Sequence, residues 1–480
     1  MGERDCTRRQ FLGAGAMGSF FVASGGLKHL WAGAGGPPSL QGGPKVRICV
    51  LFTGNTGATG RGWSLTDDEV ATIKNHLAEV EKKLGNVEFV IGQARIPAET
   101  SELLKKAGKD APVLAINLQI GGLLRATPPV LEQNRPMAVF SLPASGHDWM
   151  YPPRWARAGE RVTLFATSDY GELERATRLL RVIPMLKQTR VLVFDPKRGT
   201  APSRDPQKVK NCLGADIVPA DQQRFDKMID AVPENAVKEE ADWWLDNAKK
   251  TIEPNRQGII KAARVGLALI RLVEEEKVQG VAVGPCMSWR ALPCLGFTRL
   301  RDRGIPASCE GDMDSLWTML ILGYAFNIPG FQGNQTFDTS KNLLWTAHCV
   351  GPTKMDGPDG PSAPYLLRTH SESGESVVPE VQYRVGQKIT RAKFVNLYTM
   401  LVSTAEIVEV PDQSFRGCRT QIVTKVDNSA KMVRKWGGGV LEGDMMTLLH
   451  RVVFYGDHTD SMIHLGQLMG FEVVNEGVPA

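Results

Sequence analysis

Residues 304–326 read "GIPASCEGDMDSLWTMLILGYAF" and combine a short apolar segment, three carboxylates and a long apolar segment. The first part predicts a buried strand and the last part a helix from about residue 315, which together form one unit of an α/β fold. Asp312 and Asp314 stand at the start of the helix, where carboxylates cap free backbone amides and favour the helix dipole. Capping does not need Glu310, which ends the strand where open parallel sheets bind ligands. We therefore expect Glu310 to be a functional residue.

The same alternation of strands and helices extends along most of the chain. Apolar runs such as "VRICVLF" (residues 46–52) alternate with helical stretches, which predicts parallel sheets. Beyond a Gly- and Pro-rich segment that starts at residue 350, short strand-like runs with turn residues between them favour an antiparallel domain. The predicted fold is α/β, with two doubly wound parallel-sheet domains followed by a C-terminal antiparallel β domain that is barrel-like. The predicted bounds of these domains are 44–187, 188–350 and 351–480.

The N-terminal segment has the order of features found in a twin-arginine export signal. Arg8 and Arg9 precede an aromatic residue, a mildly apolar run and the small residues "AGA", which are typical of a cleavage site. We expect residues 1–34 to be this signal and residues 35–43 to be a linker. The chain would then use the twin-arginine export machinery and reside in the periplasm. The alternative is a basic N-terminus without structure.

Composition limits the remaining classes of protein. The 480 residues carry a formal net charge of +5 without a basic run, which does not favour a nucleic-acid partner. Beyond the signal, no stretch has the roughly 18 consecutive apolar residues that a membrane span needs. Of the eight cysteines, Cys6 lies in the signal. The other seven are scattered without a CxxC pair, which does not indicate a disulfide framework.

Two histidines and one glycine-rich loop are further candidates for function. His348 ends the apolar run "NLLWTAH", and His458 follows the strand-like run "VVFYGD". A lone histidine in such a place is more often structural, and sequence spacing does not show whether either reaches Glu310. The loop of residues 54–62 matches neither the P-loop nor the dinucleotide-binding pattern. Its glycines could bring amides close to a ligand, and a mobile loop is an equally good interpretation.

Three patches resemble the L-fucose and L-arabinose isomerase superfamily. They are "IPASCEGDMDSLWTMLILGYAFNIPGF", "NLLWTAHC" and "FYGDHTDSMIHLGQLMGFEVV", and the order of the predicted domains is also similar to that of the family. The resemblance implies that Glu310, His348 and His458 bind a divalent metal, expected to be Mn²⁺. It also implies interconversion of an aldose and a ketose, with proton transfer between C1 and C2 through an enediol, in which Glu310 would be both a metal ligand and the proton carrier.

The chain departs from the family pattern at the second carboxylate. Asn334 stands near the expected position; its amide oxygen can bind a hard cation but cannot transfer a proton. Asp338 is the nearest acid and could replace the missing carboxylate. The resemblance further implies a sugar or polyol substrate, with His147 in "ASGHDW" as a candidate contact. It also implies a homo-oligomer.

Three interpretations stay open. The first is a divergent metal-dependent enzyme of the sugar isomerase type. The second is an exported protein of the same fold that binds sugar or metal without isomerising it, which the missing second acid favours. The third is a different metal-assisted reaction on a sugar or polyol, such as an epimerisation.

Overall fold

The N-terminal domain is built on a five-stranded parallel sheet with the order β2-β1-β3-β4-β5. The computed structural model describes residues 45–57, 62–412, 416–437 and 448–477, so the predicted signal and linker lie outside the described residues. The order of strands reverses between β1 and β3, as in doubly wound folds. The strands are β1 (Val46–Thr53), β2 (Val87–Ala94), β3 (Val113–Asn117), β4 (Met137–Ser141) and β5 (Val162–Ala166).

Six helices connect and cover this sheet. Thr66 and Glu69 form a reciprocal capping box at the start of the first helix, as their spacing predicts. Short 3-10 turns follow β4 at Pro143–Ser145 and Asp148–Met150. The helices are α1 (Asp67–Leu84), α2 (Pro97–Ala107), α3 (Gly122–Ala126), α4 (Pro128–Glu132), α5 (Tyr151–Arg157) and α6 (Gly171–Leu186).

The central domain has a four-stranded parallel sheet with the order β10-β9-β6-β7. A further short strand, β8, pairs outside it, and a 3-10 turn lies at Cys286–Ser288. The strands are β6 (Arg190–Phe194), β7 (Asp216–Pro219), β8 (Lys250–Thr251), β9 (Gly280–Val283) and β10 (Ala307–Cys309). The helices are α7 (Ala201–Arg204), α8 (Pro206–Leu213), α9 (Gln222–Asp230), α10 (Glu234–Asn247), α11 (Arg256–Glu276), α12 (Cys294–Asp302) and α13 (Met313–Phe326).

The C-terminal part is a closed antiparallel barrel of six strands, in agreement with the predicted fold class. The barrel order is β15-β18-β11-β12-β17-β16, and pairing of β16 with β15 closes it, while β19 adds to β16 in parallel. A small sheet joins β14, β13 and β8. The strands are β11 (Phe331–Asp338), β12 (Leu343–His348), β13 (Tyr365–Arg368), β14 (Val378–Val381), β15 (Lys388–Val395), β16 (Thr399–Glu409), β17 (Thr420–Lys425), β18 (His450–Tyr455) and β19 (Glu472–Asn475). The helices are α14 (Ser429–Lys435) and α15 (Thr459–Met469).

The barrel begins earlier than the sequence predicts. Strands β11 and β12 were assigned to the central domain by the predicted boundary at residue 350, but they pair with β18 and β17. Residues 331–348 therefore belong to the barrel. An apolar strand has no local feature that tells which sheet it will join, and this choice depends on its partners.

Helix α13 joins the three parts of the molecule. Every residue from Met313 to Ala325 is buried, and the helix packs against α6 of the first domain, β9 of the second and β15 of the barrel. A helix that is apolar on all sides requires such an enclosed position. None of the helices in the described part of the chain combines the length and apolar character needed to cross a membrane.

Candidate metal centre

Glu310 is presented by an unusual backbone turn at the carboxyl end of β10. Its φ is +57°, and that of Gly311 is +62°, so two successive residues adopt the left-handed conformation. A Cβ on Gly311 would lie 2.8 Å from the backbone nitrogen of Lys197, which requires glycine there. For Glu310 this conformation costs about 1–2 kcal/mol, because its Cβ crowds the backbone. The turn places the carboxylate at the edge of the sheet, with 32% of its side chain exposed.

Two histidines of the barrel lie close to the carboxylate of Glu310. Strand β11 lies between β12 and β18, and Asn334 is paired with Ala347 on one side and His450 on the other. His348, next to Ala347, and His450 are thus neighbours across the barrel wall, with ring centroids 5.4 Å apart. Their Nε2 atoms lie 3.7 Å and 4.0 Å from Oε1 of Glu310.

Glu310, His348 and His450 form a cluster that could hold a divalent metal ion. Each offers one ligand atom, and these atoms all lie within 4.8 Å of one another. Carboxylate and imidazole are common ligands of divalent first-row metals. The cluster joins a strand end of the central sheet to two strands of the barrel.

Unpaired polar atoms at the cluster support this interpretation. Nε2 of His450, Nδ1 of His348 and Oδ1 of Asn334 are buried and have no hydrogen-bond partner among the described residues. An unpaired buried polar atom costs about 1–3 kcal/mol, so native structures rarely keep several together. A cation bound at this point would interact with the free lone pairs of His450 Nε2 and Asn334 Oδ1 and so remove the cost of leaving them unpaired.

Asp312 holds His450 in the orientation that ligation requires. Nδ1 of His450 lies 2.9 Å from Oδ2 of Asp312, and the same oxygen accepts a hydrogen bond of 2.9 Å from Lys393. A histidine that donates Nδ1–H to a carboxylate directs its Nε2 lone pair to the opposite side, a common arrangement behind metal ligands. Burial lowers the pKa of His450, although Asp312 opposes this shift. The lowered pKa favours the neutral imidazole, which is the form that binds metals.

Asp312 and Asp314 also start α13, as predicted, but their roles extend beyond capping. Asp312 is the N-cap and accepts a 3.0 Å hydrogen bond from the backbone of Ser315. Asp314 accepts hydrogen bonds from the backbone and hydroxyl of Thr200, at 2.8 and 2.7 Å, which tie the helix to the segment after β6. Burial raises the pKa of Asp314 to about 6; Lys393 opposes this, and the charge of Asp312 adds to it.

Glu310 is ionised in this environment. Arg198 is in direct ion-pair contact with its carboxylate. Burial by itself would raise the pKa of Glu310. Contact with the two imidazoles and the charge of Arg198 outweigh burial and lower the pKa of Glu310 to about 2. The carboxylate is therefore ready to bind a cation at neutral pH.

A cavity of about 530 Å³ opens at Glu310 and His348, and its lining combines polar and apolar residues. This volume is in the range of small-molecule sites. The polar lining residues are Lys197, Arg198, Glu310, Asn334, His348, His370 and Glu372. The apolar ones include Met287, Leu292, Pro293, Phe297, Val350 and Leu449, and several cysteines also line the cavity. Glu372 is a second carboxylate at the cavity that sequence reasoning missed, because it lies in an exposed polar loop without a motif.

The prediction that His458 joins the cluster is wrong, and His450 takes its place. Nε2 of His458 lies 2.8 Å from the carbonyl oxygen of Tyr455, and its ring stacks on Phe326 at a centroid distance of 4.0 Å. His450 is the first residue of β18, and His458 lies three residues beyond the end of that strand. Only the residue at the start of β18 reaches Glu310, because the five-residue step to Tyr455 spans about 17 Å.

The prediction that Asp338 replaces the second acid also disagrees with the structure. Asp338 ends β11 in the hairpin to β12, where its Oδ1 accepts hydrogen bonds from the backbone and hydroxyl of Ser340 at 3.0 and 2.6 Å. Four residues along a strand separate it from Asn334 by about 13 Å. Asn334, by contrast, lines the cavity.

His147 lies on the N-terminal domain and does not line this cavity. It is exposed and packs beside Trp63, with ring centroids 4.9 Å apart. Within the described residues of one chain, its role as a substrate contact stays a prediction.

Replacing Asp312 with asparagine is expected to weaken divalent-metal affinity by about 10–100-fold, the range found for outer partners of ligating histidines. Asparagine keeps the size of the side chain but removes the charge that fixes the tautomer of His450. Titration of the metal-free protein with Mn²⁺ by calorimetry measures the effect. Ser315→Ala is the matched control, because it removes a contact of Asp312 without touching His450. Equal affinities of Asp312→Asn and the unaltered protein would show that Asp312 is only a helix cap.

Fold and centre together define a class of protein: two parallel α/β domains and a closed barrel that meet at a carboxylate–bis-imidazole cluster. No family model matches the chain, and no curated protein matches it. The function is therefore argued from the geometry and from the sequence patches described above.

Proposed function

We propose that the protein is a metal-dependent enzyme of the sugar isomerase type. The observation that carries the proposal is the cluster of Glu310, His348 and His450, of which Glu310 and His348 line the 530 Å³ cavity. Mn²⁺ is the proposed ion, because a carboxylate, two imidazoles and a nearby amide oxygen suit a borderline-hard divalent cation. Asn334 would supply that oxygen.

The polar residues that line the cavity support proton transfer on a polyhydroxylated substrate. A divalent ion at the cluster would hold two neighbouring sugar oxygens and polarise the carbonyl. Isomerisation then needs a group that moves a proton between C1 and C2. Among the described residues, the carboxylates at the cavity are Glu310 and Glu372. Since the low pKa of Glu310 makes it a good ligand and a weak base, we assign the proton transfer to Glu372.

A second candidate function is binding of a sugar without conversion. Asn334 stands near the position at which the resembling family has its second carboxylate, and an amide cannot carry a proton. Glu372 is exposed on a loop, and a loop holds a catalytic side chain less precisely than a helix or strand does. The protein would then use the same cluster and cavity to bind a polyol.

We also propose a cellular location and an oligomeric state for the protein. Export by the twin-arginine machinery and a periplasmic location rest on residues 1–34, which lie outside the described part of the chain. A homo-oligomer is also proposed from the resemblance.

Deuterium incorporation separates the two functions. The Mn²⁺-loaded protein is incubated in D₂O with a panel of aldoses that includes L-fucose and L-arabinose, and NMR follows the signal at C2. We expect exchange with at least one sugar. Glu372→Gln is expected to lower that exchange by about 10²–10⁴-fold, the usual contribution of a general base, with unchanged metal content.

Glu375→Gln is the matched control, because Glu375 lies in the same exposed loop and does not line the cavity. Full metal content without exchange for any sugar would contradict the isomerase proposal and favour binding alone. Exchange that survives in Glu372→Gln would move the proton transfer to another residue.

A further inference from the structure

Cysteines are concentrated at the cavity, although they are scattered in the sequence. All seven cysteines of the described residues are free thiols. Five of them line the cavity: Cys286, Cys294, Cys309, Cys349 and Cys418. The proposed isomerase chemistry uses none of these side chains, so the five cysteines need a separate explanation.

Two of these thiols lie together at the junction of two barrel strands. Cys349 directly follows β12, and Cys418 stands two residues before β17. The two strands pair with His348 opposite Thr420, which brings both cysteines to the same end of the barrel. The two thiols are close enough to interact electrostatically with each other.

Both sulfur atoms lie beside the same short segment. Sγ of Cys349 lies 3.4 Å from the hydroxyl of Ser371, and Ser371 also interacts with Cys418. His370, the preceding residue, interacts with Cys349. The two thiols therefore share residues 370 and 371 as neighbours.

A reagent in solution can reach the pair through two cavities. A second cavity of about 370 Å³ shares Asn334, Glu372 and Cys418 with the first. Cys418 therefore stands where the cavities meet, and it is partly exposed. Cys349 is buried but lines the larger cavity.

We propose that Cys349 and Cys418 are a reversible disulfide site that responds to low-molecular-weight disulfides. One of the two protein thiols attacks the small disulfide as its thiolate, forms a mixed disulfide and releases one small thiol. The other protein thiol then attacks the protein sulfur of the mixed disulfide and releases the second small thiol. The two protein thiols lose two electrons and two protons, and the small disulfide is reduced to two thiols.

The crosslink would act next to the candidate metal centre. Cys349 is covalently adjacent to His348, so the disulfide ties this part of the centre to the segment before β17. It also narrows the point at which the two cavities meet. The inference does not depend on the proposed isomerase activity, because it concerns thiol chemistry that occurs with or without substrate.

Peptide mapping tests the proposal on the full chain. The protein is incubated with oxidised glutathione, blocked with N-ethylmaleimide, digested without reduction and analysed by mass spectrometry. We expect a peptide pair that links Cys349 to Cys418, and its loss after dithiothreitol. Cys418→Ser is expected to abolish the linked pair and to leave Cys349 either alkylated or glutathionylated.

Cys212→Ser is the matched control, because Cys212 lies in α8 with its sulfur 3.0 Å from the hydroxyl of Tyr398, away from the cavity. This variant should keep the crosslink. The proposal is overturned if the unaltered protein gives no linked pair at any glutathione disulfide concentration. A predominant link from Cys349 to Cys294 or Cys309 would overturn it as well.

Discussion

A His450→Gln variant is expected to lose at least about 100-fold in affinity for Mn²⁺, more than the loss of an outer partner causes. Glutamine fills a similar space and can still donate a hydrogen bond to Asp312, but it lacks the Nε2 lone pair that faces Glu310. Calorimetric titration of the metal-free protein measures the affinity, and elemental analysis measures the bound metal. The same variant should lose the thermal stabilisation that Mn²⁺ confers, about 2.7 kcal/mol at 100 times the dissociation constant.

His458→Ala is the matched control for this experiment. His458 flanks the same strand as His450, and the family resemblance singles it out as the ligand, whereas its ring lies against Phe326 in the structure. We expect this variant to bind Mn²⁺ with unchanged affinity. If His458→Ala loses the metal and His450→Gln keeps it, the candidate centre described above is wrong. Circular dichroism of both variants verifies that a loss of metal does not reflect unfolding.

A Lys393→Met variant is expected to lower the free energy of unfolding by about 3–5 kcal/mol. The ammonium group lies 2.9 Å from Oδ2 of Asp312, and neither side chain is more than 1% exposed. Methionine preserves the apolar packing of the lysine stem and leaves the carboxylate buried without its cation. Since Ser315 and His450 remain as partners of Asp312, the loss should lie near the lower end of that range. Urea denaturation followed by circular dichroism measures the change.

A surface pair provides the comparison. Lys83 lies 2.9 Å from Glu174, and its side chain is 61% exposed, so Lys83→Met is expected to change stability by less than about 1 kcal/mol. The double variant Asp312→Asn/Lys393→Met should recover part of the loss, because it removes both buried charges. A Lys393→Met protein as stable as the unaltered one would show that the buried pair contributes nothing to folding.

Much of the fold could be predicted because its signals are local. Apolar runs of strand length alternate with helical periodicity through the first two domains, and the capping box at Thr66 and Glu69 marks the start of α1. The change in texture after residue 350 predicts an antiparallel domain. The boundary itself was misplaced, because β11 and β12 are apolar strands whose partners, β18 and β17, follow much later in the chain.

Only part of the candidate metal centre could be predicted from local sequence signals. Glu310 could be singled out because it ends a strand of a parallel sheet, where ligands commonly bind. His348 became a candidate ligand only through the family resemblance. The prediction of His458 was wrong because His450, the first residue of β18, lies beside Glu310 instead, and the sequence does not state which end of β18 faces Glu310. Asp312 was recognised as a helix cap, but its contact with His450, 138 residues away, has no local signal.

The sequence by itself determined the elements: a strand that ends at Glu310, a helix that is apolar on every side, and a series of short antiparallel strands. These follow from side-chain periodicity and capping, which act over a few residues. Tertiary structure alone decided that Asn334 pairs with His450 and that Cys349 meets Cys418. Both depend on strand register in a closed barrel, where a shift of one residue would turn every side chain to the opposite face.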